Sequence, residues 1–268
     1  MQLSLPHLPL RLLAACALLC LVAFAVAGCN SREDSPEDRG APPGSGLGEL
    51  SQALGQAQIS AGEAVTLVEA MPGLAAGLQE SADEDSGYTW SEERRRWEWR
   101  QQGSADGRSA DYFFEVQYLD GGGNPQKGVE GAARIAVAMT GDDNSHREQD
   151  GDVFDNKVKH EYRVEITGLG SPILTMTGAG GSDWHWGGQV DDAPHSYDWE
   201  VSWEILEPGI TRPAAGGCPS GTIRTEIASY YLLAVFDGSD ISVATLYGAE
   251  GNIAPYGQRT QEIGCDAE

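Results

Sequence analysis

The sequence lacks the short motifs that mark the common hydrolase and nucleotide-binding sites. It contains no Gly-x-Ser-x-Gly elbow, no His-Glu-x-x-His pair and no glycine-rich phosphate loop ahead of a helix. Four histidines follow the N-terminal segment, and their spacing is not that of metal ligands: His146, His160, His185 and His195. We therefore predict no cofactor and no metal site, and we favour a non-enzymatic protein over a hydrolase whose residues are too dispersed to recognise.

Positive charge is also scarce. The chain has 17 Lys and Arg against 41 Asp and Glu, which gives a formal net charge of −24 at pH 7. A surface this acidic repels phosphates and anionic lipid head groups. The composition therefore predicts no nucleic-acid partner, and it favours either basic partners or charge that serves solubility alone.

One long hydrophobic run stands at the N-terminus. Arg11 precedes an uninterrupted apolar stretch from Leu12 to Ala27, which is the pattern of a secretory signal. The run closes with Val26-Ala27-Gly28-Cys29, which resembles the lipobox of bacterial lipoproteins. The resemblance implies that residues 1–28 are a signal peptide, that Cys29 is acylated and that acyl chains hold the protein to a membrane. The alternative is a retained membrane helix, for which the run is slightly short.

The residue after the lipobox and the remaining cysteines bear on the compartment. In enterobacterial lipoproteins Asp at this position favours the inner membrane, so Asn30 by resemblance favours the outer membrane of the cell envelope. Cys218 and Cys265 remain in the mature chain and are most simply one disulfide in an exported protein. Two free thiols are the alternative, and the absence of a Cys-x-x-Cys pair argues against zinc.

Composition divides the mature chain into a tether and a domain. Residues 29–48 are rich in Ser, Pro, Gly and charge and predict an acylated, disordered tether. Residues 49–268 are expected to form a single domain with a leading helix from Ser60 to Leu78. Ser60 to Glu63 is a capping-box pattern, and the next apolar residues share one helical face, until Pro72 should end or kink the helix.

From Tyr88 onward, apolar residues alternate with polar ones, which predicts strands. The turns between them are too short to hold crossover helices, so neighbouring strands should pair antiparallel. We predict an all-β fold, with around nine strands in a single curved antiparallel meander sheet or open barrel and the helix packed on it. In outline this is similar to the half-barrel lipoprotein carriers of the Lol pathway, which implies a lipid or lipoprotein carrier as one alternative. The last fifty residues look like the closing module of uncharacterised exported lipoproteins, a likeness that implies no activity.

Tryptophan pairs are the strongest candidates for a binding surface. Their spacing of two or four residues places each pair on one sheet face: Trp97 with Trp99, Trp184 with Trp186, and Trp199 with Trp203. Such a strip could bind an apolar or glycan ligand or an envelope protein. For the tryptophans themselves we favour the simpler interpretation, that the strip is the core under the helix; if all of them are core, the protein is a structural spacer.

The segment 141–156 gathers many acidic and amide side chains. Oxygen ligands suit calcium, but the spacing around Asp150 and Asp152 does not match an EF-hand. We predict a solvated acidic loop without a tight calcium site.

Overall fold

The computed structural model describes residues 62–78, 87–105, 107–149, 152–190, 193–248, 251, 253–263 and 265. They all belong to one compact unit, residues 56–268. The lipobox-like segment, the predicted acylation site Cys29 and the predicted tether lie outside the described residues, so lipidation and a domain start at residue 49 stay predictions. Among the described residues, no helix is long and apolar enough to cross a membrane.

The described chain forms one helix and one antiparallel sheet, as predicted. Helix α1 covers residues 62–76. The strands are β1 Thr89–Ser91, β2 Arg96–Ala105, β3 Arg108–Leu119, β4 Pro125–Gln126, β5 Arg134–Gln149, β6 Asp152–Thr167, β7 Ile173–Val190, β8 Ala193–Ile205, β9 Ile210–Pro213, β10 Ser220–Ile227, β11 Tyr230–Asp237, β12 Ile241–Tyr247 and β13 Ile253–Glu262. The main strand order is β1-β2-β3-β5-β6-β7-β8-β10-β11-β12-β13; short β4 pairs with β3, and β9 pairs with β7 and β10. Because β1 and β13 stand at opposite ends of this order, the described sheet is open.

The number and length of strands differ from the expectation of about nine. The described residues form 13 strands in one sheet, and β1, β4, β9, β10 and β13 were not anticipated. The runs at 173–176 and 184–186 are two parts of β7 rather than separate strands. Glycines at 178, 180 and 181 interrupt the apolar alternation between them, which is why the sequence suggested a break.

The described residues of the acidic segment, 141–149 and 152–156, form strands rather than a loop, so that prediction was wrong. Asp142 to Gln149 continue β5, and Asp152 to Asn156 begin β6, with antiparallel pairing from Gln149 opposite Asp152 inward. The sequence did not indicate a strand here because polar residues occupy both faces of this segment, so apolar and polar residues do not alternate. Pairing with β3 and β7 on either side extends the ladder beyond the apolar core.

One face of the sheet, here called the inner face, forms the core. Cross-strand register aligns buried side chains from β2 to β11, including Trp97, Val116, Val137, Val164, Met176, Trp203, Ile223 and Ala234. The opposite, outer face carries the charged partners of the alternation, such as Lys159 and Glu161 on β6. The two-residue alternation in the sequence therefore corresponds to the alternation of side chains between the two faces of the sheet.

Helix α1 packs on the inner face and passes through Pro72 without ending. It buries Ala64, Val65, Leu67, Val68, Met71 and Leu74. Pro72 has no N–H for the carbonyl of Val68, four residues earlier. Arg212 on β9 donates from Nη1 to that carbonyl oxygen at 2.8 Å and so replaces the missing donor. Of the two expected effects of Pro72, an end to the helix does not occur, because a distant side chain satisfies the exposed carbonyl and the helix continues to residue 76.

The end of α1 is set by a glycine and a tyrosine. Gly77 has a φ of +99°, the left-handed conformation that commonly terminates helices. Tyr118 on β3 donates its hydroxyl to the Leu74 carbonyl at 2.9 Å and accepts from the Leu78 amide at 2.9 Å. The Leu74 carbonyl also accepts from the Gly77 amide at 3.2 Å, so Tyr118 adds a second donor to this carbonyl and a partner for the Leu78 amide at the helix end.

Cys218 and Cys265 form a disulfide with a Cα–Cα distance of 5.0 Å and a sequence separation of 47. The bond connects the segment just before β10 with the residues after β13. The disulfide expected from the sequence is present, while the compartment that it suggests stays a prediction.

Candidate functional site: a buried polar cluster beside an aromatic shelf

All six tryptophans of the predicted strip lie on the inner face, but they differ in burial. Trp97, Trp184 and Trp203 are 2%, 8% and 2% exposed and belong to the core. Trp99 is half-buried and stacks on Phe114 with ring centroids 4.9 Å apart. The three buried tryptophans line no open surface in this conformation.

Trp186 and Trp199 are also half-buried, and they stand beyond the part of the face that α1 covers. Trp186 contacts Phe154 of β6 with centroids 5.9 Å apart. Trp199 on β8 is the cross-strand partner of Trp184, and Trp184 is the inward-facing residue next to Trp186 on β7. We call Phe154, Trp186 and Trp199 the aromatic shelf.

The contacts of α1 show why the shelf is uncovered by this helix. Glu63, in the first turn, contacts His160, while Leu74, near the end, contacts Tyr118. Tyr118 is aligned across β5 with Ile166, which lies six residues beyond His160 on β6. The helix therefore runs from the level of His160 toward the C-terminal end of β6. Ser182 on β7 is the cross-strand partner of His160. Trp186 lies four residues further along β7, about 13 Å from Ser182 and in the direction opposite to the one in which the helix runs.

Between the shelf and the helix-covered core lies a buried polar cluster that the sequence did not suggest. Glu63 of α1, His160 of β6 and Ser182 of β7 are 3%, 6% and 4% exposed. The Nδ1 of His160 lies 2.6 Å from Glu63 Oε1 and 3.1 Å from Ser182 Oγ. The imidazole therefore joins the helix to two adjacent strands.

Asp143 and Tyr112 complete the cluster on the other side of the imidazole. His160 Nε2 lies 3.5 Å from Asp143 Oδ2, an ion-pair distance. The Tyr112 hydroxyl donates to the same carboxylate. Gly141, the partner of both Tyr112 and His160, makes this possible, because a Cβ there would lie 2.3 Å from the tyrosine ring.

Burial and charge act in opposite directions on His160. Burial alone would lower its pKa, but the contacts with Asp143 and Glu63 and the charges of both carboxylates outweigh burial and raise the pKa to about 9. Burial, together with the charge and hydrogen bond of Asp143, raises the pKa of Tyr112 well above its usual range. At neutral pH the cluster is thus an imidazolium between two carboxylates, with a neutral phenol.

The geometry of the cluster differs from that of a nucleophile–base–acid triad. In a triad the acid and the nucleophile contact different nitrogens of the histidine. Here Glu63 and Ser182 both contact Nδ1, and the residues are nearly inaccessible. Within the described residues, no group of three or more His, Cys, Asp or Glu side chains is placed to hold a metal ion.

The outer face carries polar groups without a comparable buried arrangement. A shallow groove of about 540 Å³ is lined by residues such as Gln102, Asp111, Asp142 and Asn144. His185 points to this face and contacts Asp198 at 2.7 Å, with both side chains about half or more exposed. The His185–Asp198 contact is about as short as the His160–Glu63 contact, but it is exposed to solvent whereas the His160–Glu63 contact is buried.

The sequence carries a signal for this cluster, although no motif marks it. His160 occupies the same alternation as Val158, Tyr162 and Val164, so it had to face the core. Glu63 lies four residues before Leu67 on the apolar face of the helix. Which carboxylate meets which histidine depends on strand register and could not be read from these spacings.

Comparisons of the chain with protein-family models, with curated proteins and with solved structures found no match.

Proposed function

We propose that this protein is a lipid-anchored bacterial envelope protein whose β domain binds an apolar or glycan ligand, or an envelope partner, at the aromatic shelf. The lipobox resemblance and the Cys218–Cys265 disulfide support export and anchoring. Asn30 supports the outer membrane as the destination. The binding role depends on the shelf rather than on the whole tryptophan strip.

The observation that carries the proposal is that Trp186 and Trp199 are only half-buried and lie beyond the part of the inner face that α1 covers. Aromatic rings held by rigid strands lose little side-chain entropy when a ligand covers them. Phe154 and Trp186 together offer a surface suited to the apolar face of a sugar or to an acyl chain. The formal charge of −24 makes a neutral or cationic ligand more suitable than an anionic one.

Native mass spectrometry of the protein purified from its own envelope tests the proposal. We expect a retained small molecule or partner that is lost in Trp186→Ala. Tyr231→Ala is the matched control, because Tyr231 is a half-buried aromatic residue on the outer face, stacked on Tyr247. Equal retention by both variants, or none by the unaltered protein, would favour the spacer interpretation.

A further inference from the structure

We propose that the buried group of Glu63, His160 and Asp143 is a pH-dependent latch that holds helix α1 on the sheet at neutral pH and releases it in alkali. Glu63 lies in the first turn of α1 and contacts His160 on β6.

The latch requires the positive charge on His160. The Glu63 carboxylate is 3% exposed, and a carboxylate so buried costs several kcal/mol unless a cation accompanies it. His160 supplies that cation at 2.6 Å. When the imidazole loses its proton, Glu63 and Asp143 remain as two carboxylates on opposite sides of a neutral ring.

The helix, not the sheet, is the part that yields. Asp143 keeps a hydrogen bond from Tyr112 on the neighbouring strand. The Oε2 atom of Glu63 is buried and has no hydrogen-bond partner among the described residues. Leaving the interior is the route by which Glu63 regains solvation, and its departure carries the first turn of α1 away from β6.

Apart from the two carboxyl groups, the described side chains that face His160 keep their charge state through the relevant pH range. Ser182 and Trp184 of β7 are neutral, and the Tyr112 ring of β3 lies 5.9 Å from the imidazole. Burial raises the pKa of both Tyr112 and Tyr162, the next inward-facing residue on the histidine's own strand. The imidazole is thus the titrating group of the latch.

Two further polar contacts that hold α1 on the sheet, those of Tyr118 and Arg212, do not titrate in the same range. Burial raises the pKa of Tyr118 to about 12, and Arg212 stays charged although burial lowers its pKa. For His160 the folded-state pKa, about 9, is above the unfolded value near 6.5. The stabilisation is therefore complete below about pH 6.5 and is lost as the pH rises through about 9.

Hydrogen–deuterium exchange of the purified protein at pH 7 and pH 10, corrected for intrinsic exchange, tests the latch. We expect opening of α1 amides to increase by at least about tenfold, which corresponds to one pKa unit of coupling. Peptides from β5 to β7 should stay protected. Opening of α1 together with these strands, or a change in α1 below about twofold, would overturn the proposal.

Variants separate the latch from general alkaline loosening. His160→Gln should abolish the pH step in α1, whereas His185→Gln should keep it, because the His185–Asp198 contact is exposed. Glu63→Gln removes the charge on the helix side with little change in shape and should also flatten the step, which keeps the test decisive if His160→Gln does not fold. Persistence of the full step in Glu63→Gln would contradict the proposal.

Discussion

Replacing Arg212 tests whether a side chain from β9 compensates for the proline inside α1. Arg212→Met removes the 2.8 Å bond to the Val68 carbonyl and the 2.9 Å bond from Nε to the Gly217 carbonyl. Hydrogen bonds from charged donors contribute about 1.5–3 kcal/mol, and a buried carbonyl without a partner costs about 1–3 kcal/mol. We expect the free energy of unfolding to fall by about 3 kcal/mol.

The same substitution should be less damaging when residue 72 can donate its own hydrogen bond. In Pro72→Ala the new amide can reach the Val68 carbonyl in the usual helical manner. Arg212→Met in that background should therefore cost about 1–2 kcal/mol less. Urea denaturation of the four proteins, followed by far-ultraviolet circular dichroism, gives this coupling as a double-mutant cycle. A coupling within about 0.5 kcal/mol of zero would refute the compensation.

Three further results are expected. Gly180→Ala should lower the free energy of unfolding by about 3 kcal/mol, because the new Cβ would lie 2.7 Å from the Trp203 ring. Gly103→Ala, which has open space around it, should change the free energy of unfolding by less than about 0.5 kcal/mol, and equal effects of the two substitutions in urea titrations would contradict this prediction. Reduction of the disulfide should lower the free energy of unfolding by about 4 kcal/mol, as loop entropy predicts, so an unchanged urea midpoint would count against that value. Melting temperatures in calcium and in chelator should agree, and a rise of many degrees in calcium would reveal a site in segment 141–156.

The sheet was predictable because its chemistry is local. Period-two alternation in stretches such as 112–118 and turn residues such as Asp237 to Asp240 mark strands and hairpins without reference to the rest of the chain. Strands that depend on neighbours were missed. The second half of β5, Asp142 to Gln149, has little apolar alternation of its own, and it forms a strand because it pairs with β3 and β6.

The candidate site was less predictable for the same reason. The tryptophan pairs could be placed on one face, but their burial depends on where α1 lies, which no spacing specifies. The continuation of α1 through Pro72 depends on Arg212, which is 144 residues away from its acceptor Val68. The cluster around His160 likewise joins α1 to four strands, a combination that only tertiary register creates.

Site-specific photo-crosslinking in living cells that produce the protein tests binding at the aromatic shelf most directly. A photoreactive residue replaces Trp186 on the shelf or, as a control, Val235, which is 42% exposed on the outer face. We expect a discrete conjugate with an envelope lipid, glycan or protein from position 186 and none from position 235. Conjugates from position 235 alone, or the same pattern from both positions, would contradict binding at the aromatic shelf.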